Sequence, residues 1–407
     1  MARASLLAVV SRFSSVFISL LTGIIVARTL GAGGKGALAY LTTATNFAAR
    51  LTSLGLEASF TRFHRVKGVP ADVAAGSVVW TVMVLGSLGA ALLNLAVWLL
   101  PVLAAAVPPV LVHAYFWAMP PVMFLFVFGV VMYGMNAEGT FGAVDVGMRA
   151  LMLGVTVAVV GTQWNTLVTV GVLQLAAQVA AAAIGYHYLR RTVGGPLRWR
   201  ADTVRAMIGD SGGVYAYNTI RYALGYGSML LAAQLLSVRD AGIFSVAIML
   251  GEGVTLLAGS INLAFYPAVS VAGQPAAYAR RVAGMVMLLC AGFGLVILVI
   301  GSWIVPRLYG NAFAPAVPLF AATLPGVVLL GGEQVFASFF VAAGFVRPAT
   351  ISVAIGAALL PILSVWLAGA HGIYGLAVAC SLAHGITAVL AFAGFWRHSG
   401  RFTTRLA

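Results

Sequence analysis

IIVARTLGAGGKGALAYLTTATNFAARLTSLGLEASFTRF, residues 24–63, closes one apolar run, turns through a glycine-rich segment at Leu30–Gly36, and opens a second apolar run that holds an arginine, Arg50, well inside it. The two runs extend over 8–27 and 37–60, and about 20 apolar residues in a helix cross the hydrocarbon core of a bilayer. A charge at that depth costs several kcal/mol, so it persists where it faces a polar interior and marks a pathway or a ligand site. Arg221 stands in the same situation in the second half of the chain. Of the 23 basic residues, hydropathy places only these two away from a membrane surface.

Composition generalises this reading. The 407 residues are 62% hydrophobic and 8% charged, with a mean hydropathy of +1.03. Apolar runs of spanning length recur from end to end. Barrel strands would alternate apolar and polar residues; continuous runs satisfy their backbone in lipid only as helices, so the expected class is an all-α membrane protein. No length remains for a large soluble domain. The net charge of +14 comes from basic residues scattered among short loops, which reports topology and gives no basis for a nucleic-acid partner. Cys290 and Cys380 lie inside apolar segments as small packing residues, and no cleavable signal peptide is evident.

Hydropathy predicts about twelve spans: 8–27, 37–60, 74–99, 110–133, 142–161, 166–189, 207–236, 242–270, 282–305, 317–343, 349–368 and 373–396. With a cytoplasmic N-terminus, seventeen basic residues fall inside, Arg149 among them, and four fall outside: Arg28, Lys35, Arg239 and Arg307. Together with Arg50 and Arg221 these account for all 23, and the imbalance orients both termini to the cytoplasm. The longest hydrophilic connection, 190–205, divides the chain into lobes at 1–189 and 206–407, with 190–205 as a cytoplasmic linker. A shift of 206 residues lays Leu30–Gly36 on Leu236–Gly242, Asn46 on Glu252, and Phe60 on Tyr266. Six spans per half make such a repeat parallel, with a pseudo-two-fold axis along the membrane normal and a substrate path between the lobes.

Helical spacing draws polar lines at Arg12, Ser15, Ser19 and Thr22 on the first span and at Thr43, Asn46, Arg50, Ser53 and Glu57 on the second. Ser211, Asn218, Arg221 and Ser228 repeat the pattern on the seventh, and Ser245, Glu252, Thr255, Gly259, Asn262 and Tyr266 on the eighth. Around one hydrated cavity these stripes would form a binding site; alternatively, the serines and threonines simply join helices. Glu57, two turns from Arg50 on one face, offers an internal ion pair, whereas Arg221 has only Asp210, three turns away, on its own helix face. A guanidinium without a partner suits phosphate, which it binds bidentately. Tyr215, Tyr217, Tyr222 and Tyr226 either stack on sugars or pack as tyrosine does in many membrane helices. Glu252 and Glu333 are either proton or cation sites or arginine partners. His384 is read as a packed histidine, and no metal spacing, phosphate loop or nucleophile motif appears, so neither cofactor nor enzymatic activity is expected.

The segment 24–63 resembles the N-terminal signature of Wzx-type polysaccharide flippases of the multidrug/oligosaccharidyl-lipid/polysaccharide exporter superfamily. Leu30, Gly31, Gly36, Gly55 and Leu56 fill its pattern, and LLSVRDAGIFSVA and LYGNAFAPAVPLF are similar to later family stretches. The resemblance implies a twelve-helix, two-lobed transporter in the bacterial inner membrane. It would move an undecaprenyl-diphosphate-linked oligosaccharide, such as an O-antigen unit of lipopolysaccharide, to the outer leaflet by alternating access. It also implies a cationic lumen, matched by Arg50 and Arg221 with Arg12, Asn46, Asn218 and Tyr222 as further cavity residues, and a glycan polymerase and chain-length regulator as partners. Glu252, Glu333 and Glu57 are the candidates for ion coupling. An ion-coupled drug exporter of the same superfamily is the alternative. The first span lacks the acid that drug-exporting relatives carry there.

Overall fold

The computed structural model describes residues 2–104, 107–269, 275–342 and 346–406, all helix, turn or loop. Two compact units, Met1–Tyr215 and Ala216–Ala407, divide the chain. Among the described residues, eight helices are long and apolar enough to cross a membrane, nine when a pair bent by 41° counts as one span. Two of them are interrupted by a glycine of positive φ, Gly31 (68°) and Gly372 (58°), a conformation open to glycine and strained for other residues, so each supplies two spans. One further helix of 35 residues, made less apolar by Asn218 and Arg221, completes twelve.

In the first unit, α1 (Ala2–Thr52) contains the Gly31 break, and α2 (Leu56–Arg65) is a short amphipathic continuation. Next come α3 (Ala71–Leu99), the bent pair α4 (Pro109–Trp117) and α5 (Met119–Gly134), α6 (Glu138–Val159) and α7 (Leu167–Val193). Pro120 and Pro121 sit in the first turn of α5, where proline lacks only an amide that would be unpaired anyway, and they set the bend after α4. The core gathers Phe60, Phe124, Val127, Phe128, Leu189 and Met207, all at most 4% exposed.

The second unit contains most of α8 (Ala201–Leu235), then α9 (Val238–Val269), α10 (Pro275–Tyr309), α11 (Ala316–Ala342) and α12 (Arg347–Leu406). Pro325 interrupts the hydrogen-bond ladder of α11, and the next amide, Gly326 N, donates to Ser381 Oγ at 2.9 Å. A Cβ on Gly326 would stand 2.6 Å from Ser381 Cα, so glycine is what lets α11 and α12 approach. Phe395 packs on Phe336 and Phe339 with ring centroids 4.7 and 5.1 Å apart.

The Leu30–Gly36 turn and its counterpart at Leu236–Gly242 both mark helix breaks, at Gly31 and between α8 and α9. The stretch 190–205 is not an extended tether. It comprises the last turn of α7, a loop, and the first turn of α8, and the loop lies on α3. Arg198 pairs with Asp72, Arg200 N donates to Ser77 Oγ at 3.2 Å, and Trp80 Nε1 donates to Leu197 O at 3.1 Å.

Arg149 departs from its expected position at the cytoplasmic surface. It lies within the length of α6, about 16 Å from the start of that helix at 1.5 Å per residue. Its Nε lies 3.3 Å from Asp145 Oδ2, and its NH1 donates to Ser19 Oγ on α1 at 2.6 Å. Ser15 Oγ donates to the same carboxylate at 2.5 Å. Arg50 and Arg221 are therefore not the only arginines inside a span.

Candidate functional site

Arg50 occupies the last turn of α1, where a cation meets the negative end of the helix dipole. Its guanidinium carbon lies over Phe126 of α5, 2.9 Å from the ring centroid. Two residues later the helix stops, because Leu54 and Gly55 both take left-handed conformations, with φ of 53° and 68°. Sequence periodicity assumed a continuous helix through 37–60, which would stack Glu57 beneath Arg50. The helix breaks between the two, and Glu57 opens α2, where an acid faces the positive end of a helix and the Arg50 charge remains within electrostatic reach. Its Oε1 accepts from Ser53 Oγ at 3.2 Å, and its buried Oε2 has no hydrogen-bond partner among the described residues.

Ending a helix inside a bundle frees carbonyls that must be paired. Here α8 supplies the donors. Tyr215 OH donates to Leu51 O at 2.5 Å, and Ser211 Oγ donates to Leu54 O at 3.2 Å. In turn Ser59 Oγ donates to Met207 O at 3.1 Å. A side chain on Gly55 would place its Cβ 2.7 Å from Tyr215 Cβ. Asp210, the acid nearest Arg221 on its own helix, instead pairs with Arg62 at 2.8 Å and Lys67 at 3.5 Å. Ser211 and Tyr215 are thus occupied at this joint.

In the second unit Arg221 is not left without a partner. Its NH1 lies 2.6 Å from Glu333 Oε2 of α11, a side chain with 0% exposure against 25% for the arginine. Tyr217, one turn before Arg221, accepts from the same NH1 at 3.1 Å and donates to Glu333 Oε1 at 3.5 Å. Carboxylate, guanidinium and phenol close a ring of contacts, which is how an acid is kept in a span without aqueous solvation. Sequence left Glu333 open as an arginine partner or a coupling site; in the structure it pairs with Arg221.

Asn46 and Asn218 are half-buried on α1 and α8; Arg12 is exposed on α1, and Glu252 is exposed on α9. Tyr222 stacks on Tyr226 with centroids 5.8 Å apart. Most stripe hydroxyls bond to their own helix: Ser19 to Ser15 O, Thr22 to Ile18 O, Ser228 to Gly225 O and Ser245 to Gly242 O, at 2.7–3.2 Å. The side chains of Asn262 and Tyr266 lie outside the described residues. Asp145 and Arg149 went unrecognised in sequence, although an acid and a base four apart inside an apolar run is a legible signal. His384, on α12, has a buried Nδ1 without a hydrogen-bond partner among the described residues.

Residues 2–272 match the family model described as "Polysaccharide biosynthesis protein". No curated protein matches the chain. Among solved structures, a multidrug resistance MATE family transporter of the MOP superfamily, in an inward-facing conformation, superposes with a TM-score of 0.75 at 11% identity, covering 97% of this chain and 96% of that one. The lipid II flippase MurJ, in an inward closed conformation, gives 0.75 at 11% identity, over 98% of this chain and 91% of that one. The MATE multidrug transporter DinF-BH gives 0.69 at 17% identity, over 97% and 94%. At such identities the agreement establishes the fold: a multi-pass helical membrane architecture common to exporters and flippases.

Proposed function

Because the chain belongs to the polysaccharide biosynthesis protein family, we propose that it is a flippase, not an enzyme, that carries undecaprenyl-diphosphate-linked oligosaccharides from the inner to the outer leaflet of a bacterial inner membrane by alternating access. The family match is the observation that carries this reading. Two guanidinium groups inside spans support it, since a diphosphate needs bidentate donors in a partly desolvated setting. Arg50 is one of them, and its guanidinium stacks on Phe126 through its face.

Arg221 and Glu333 unite the two roles read from sequence. A diphosphate that takes Arg221 displaces Glu333, and the released carboxylate accepts a proton or a cation; discharge of that ion restores the pair. Substrate capture and ion coupling then share one guanidinium. Both termini face the cytoplasm, and a glycan polymerase and chain-length regulator act on the delivered unit. A drug exporter remains the second reading, favoured by the MATE transporters that share the fold.

The test is surface glycan in a strain lacking its own flippase, normalised to membrane-inserted protein. Restoration by the wild type, and its loss in Arg50→Ala with insertion unchanged, supports the reading. Absence of glycan with the wild type correctly inserted, together with a gradient-dependent efflux of organic cations, overturns it in favour of export.

A further inference from the structure

An apolar groove of about 260 Å³ runs between α6 and α7 in the first unit. Val144 and Ala181 form its buried floor, Leu151, Ile184 and Tyr188 rise as exposed walls, and Gly147 leaves a gap where an added Cβ would meet nothing within 4 Å. The helices are antiparallel: a seven-residue loop, 160–166, joins them, and Gln174 Nε2 donates to Thr156 Oγ1 at 3.1 Å near that end. The groove therefore rises from the C-terminal end of α7, and from Val144 to Leu151 it covers about 10 Å of helix at 1.5 Å per residue.

The open end carries an arginine. Ile184, Tyr188 and Arg191 follow one another at helical spacing, so Arg191 continues the groove-lining face beyond its polar rim. Arg191 is exposed and takes part in no ion pair among the described residues. Beside it, α6 begins at Glu138, an acid in its own first turn, so Arg191 is the cation of this mouth. An arginine at the mouth and an apolar trough match a phosphorylated lipid, phosphate on Arg191 and tail in the trough.

We infer that this groove holds the isoprenoid tail of a polyprenyl-diphosphate carrier, with Arg191 on its phosphate. Methyl branches need hollows between walls, and Gly147 and Ala181 provide them between Leu151 and Ile184; an unbranched acyl chain has no use for that relief. The inference rests on the flippase reading and deepens it, because the tail stays in the bilayer at this face while the glycan crosses.

The experiment uses the full-length protein in nanodiscs and a photoreactive polyprenyl diphosphate whose label is on the tail. Wild-type protein is expected to be labelled within 143–151 and 181–188, with labelling displaced by unlabelled polyprenyl diphosphate and not by phosphatidylglycerol. Gly147→Leu fills the hollow and should cut labelling at least tenfold, and Arg191→Gln should weaken capture about fivefold. Ala150→Leu, exposed on α6 outside the groove, should leave both unchanged. Equal displacement by phosphatidylglycerol, label elsewhere, or undiminished label in a correctly folded Gly147→Leu protein overturns the groove. Glycan restored by the wild type in the deletion strain keeps the flippase reading in that event; its absence removes the reading itself.

Discussion

Replacing Arg221 with alanine leaves the Glu333 carboxylate, 0% exposed, without the cation that stands 2.6 Å from it. Removal of one member of a buried pair costs about 3–5 kcal/mol. The arginine is 25% exposed, which puts the cost near the lower figure, about 3 kcal/mol. At about 2.1 cal/mol/K of unfolding entropy per residue over 407 residues, that corresponds to a fall of about 3–4 °C in the thermal midpoint. Adding Glu333→Gln removes the stranded charge and should recover at least half of the loss, since members of one pair are not additive. Scanning fluorimetry in detergent measures all three variants. Surface glycan in the deletion strain then separates the roles: a double variant that regains stability and remains glycan-negative shows that the pair serves transport, and one that regains both shows that the pair is structural. An Arg221→Ala protein as stable as the wild type within about 0.5 kcal/mol, the error of such comparisons, would refute the pair.

Gly55→Ala forces an alanine into left-handed backbone and its Cβ against Tyr215, for a combined loss of about 2–4 kcal/mol in the same melting assay; an unchanged midpoint contradicts the helix break. Tyr217→Phe removes one hydroxyl from the Arg221–Glu333 ring and should cost about 1 kcal/mol, with a loss above 3 kcal/mol incompatible with an accessory role. Arg50→Ala should not be rescued by Glu57→Gln in the glycan assay if Arg50 meets substrate; full rescue would make the pairing of Arg50 with Glu57 structural. Reporters fused at Arg198 and after Arg401 should read cytoplasmic, and one within Gly31–Gly36 periplasmic, and a periplasmic signal at either of the first two sites would invert the topology.

Apolar runs alone determined that this chain is an all-helical membrane protein of twelve spans. A bilayer demands that each segment satisfy its own backbone, and hydropathy records that demand locally. Gly31 falls in the glycine-rich turn that the sequence marks, whereas the break at Gly55 was missed, because spacing carried one helix through 37–60. What periodicity could not supply was any contact between helices. Spacing puts Arg50 and Glu57 on one continuous helix, and a two-residue break puts them on two; spacing leaves Arg221 with Asp210, and packing gives it Glu333, 112 positions away. Tyr215 and Ser211 looked like cavity residues, but the carbonyls of Leu51 and Leu54, freed by that break, claim them. Arg149 looked superficial until α6 was seen to start at Glu138 and to present Asp145 and Arg149 to Ser15 and Ser19. Helical sequence specifies neighbours three and four residues apart, whereas the partner of a charge in a membrane is chosen by which helices meet, and that is decided by small residues such as Gly326 along their whole lengths.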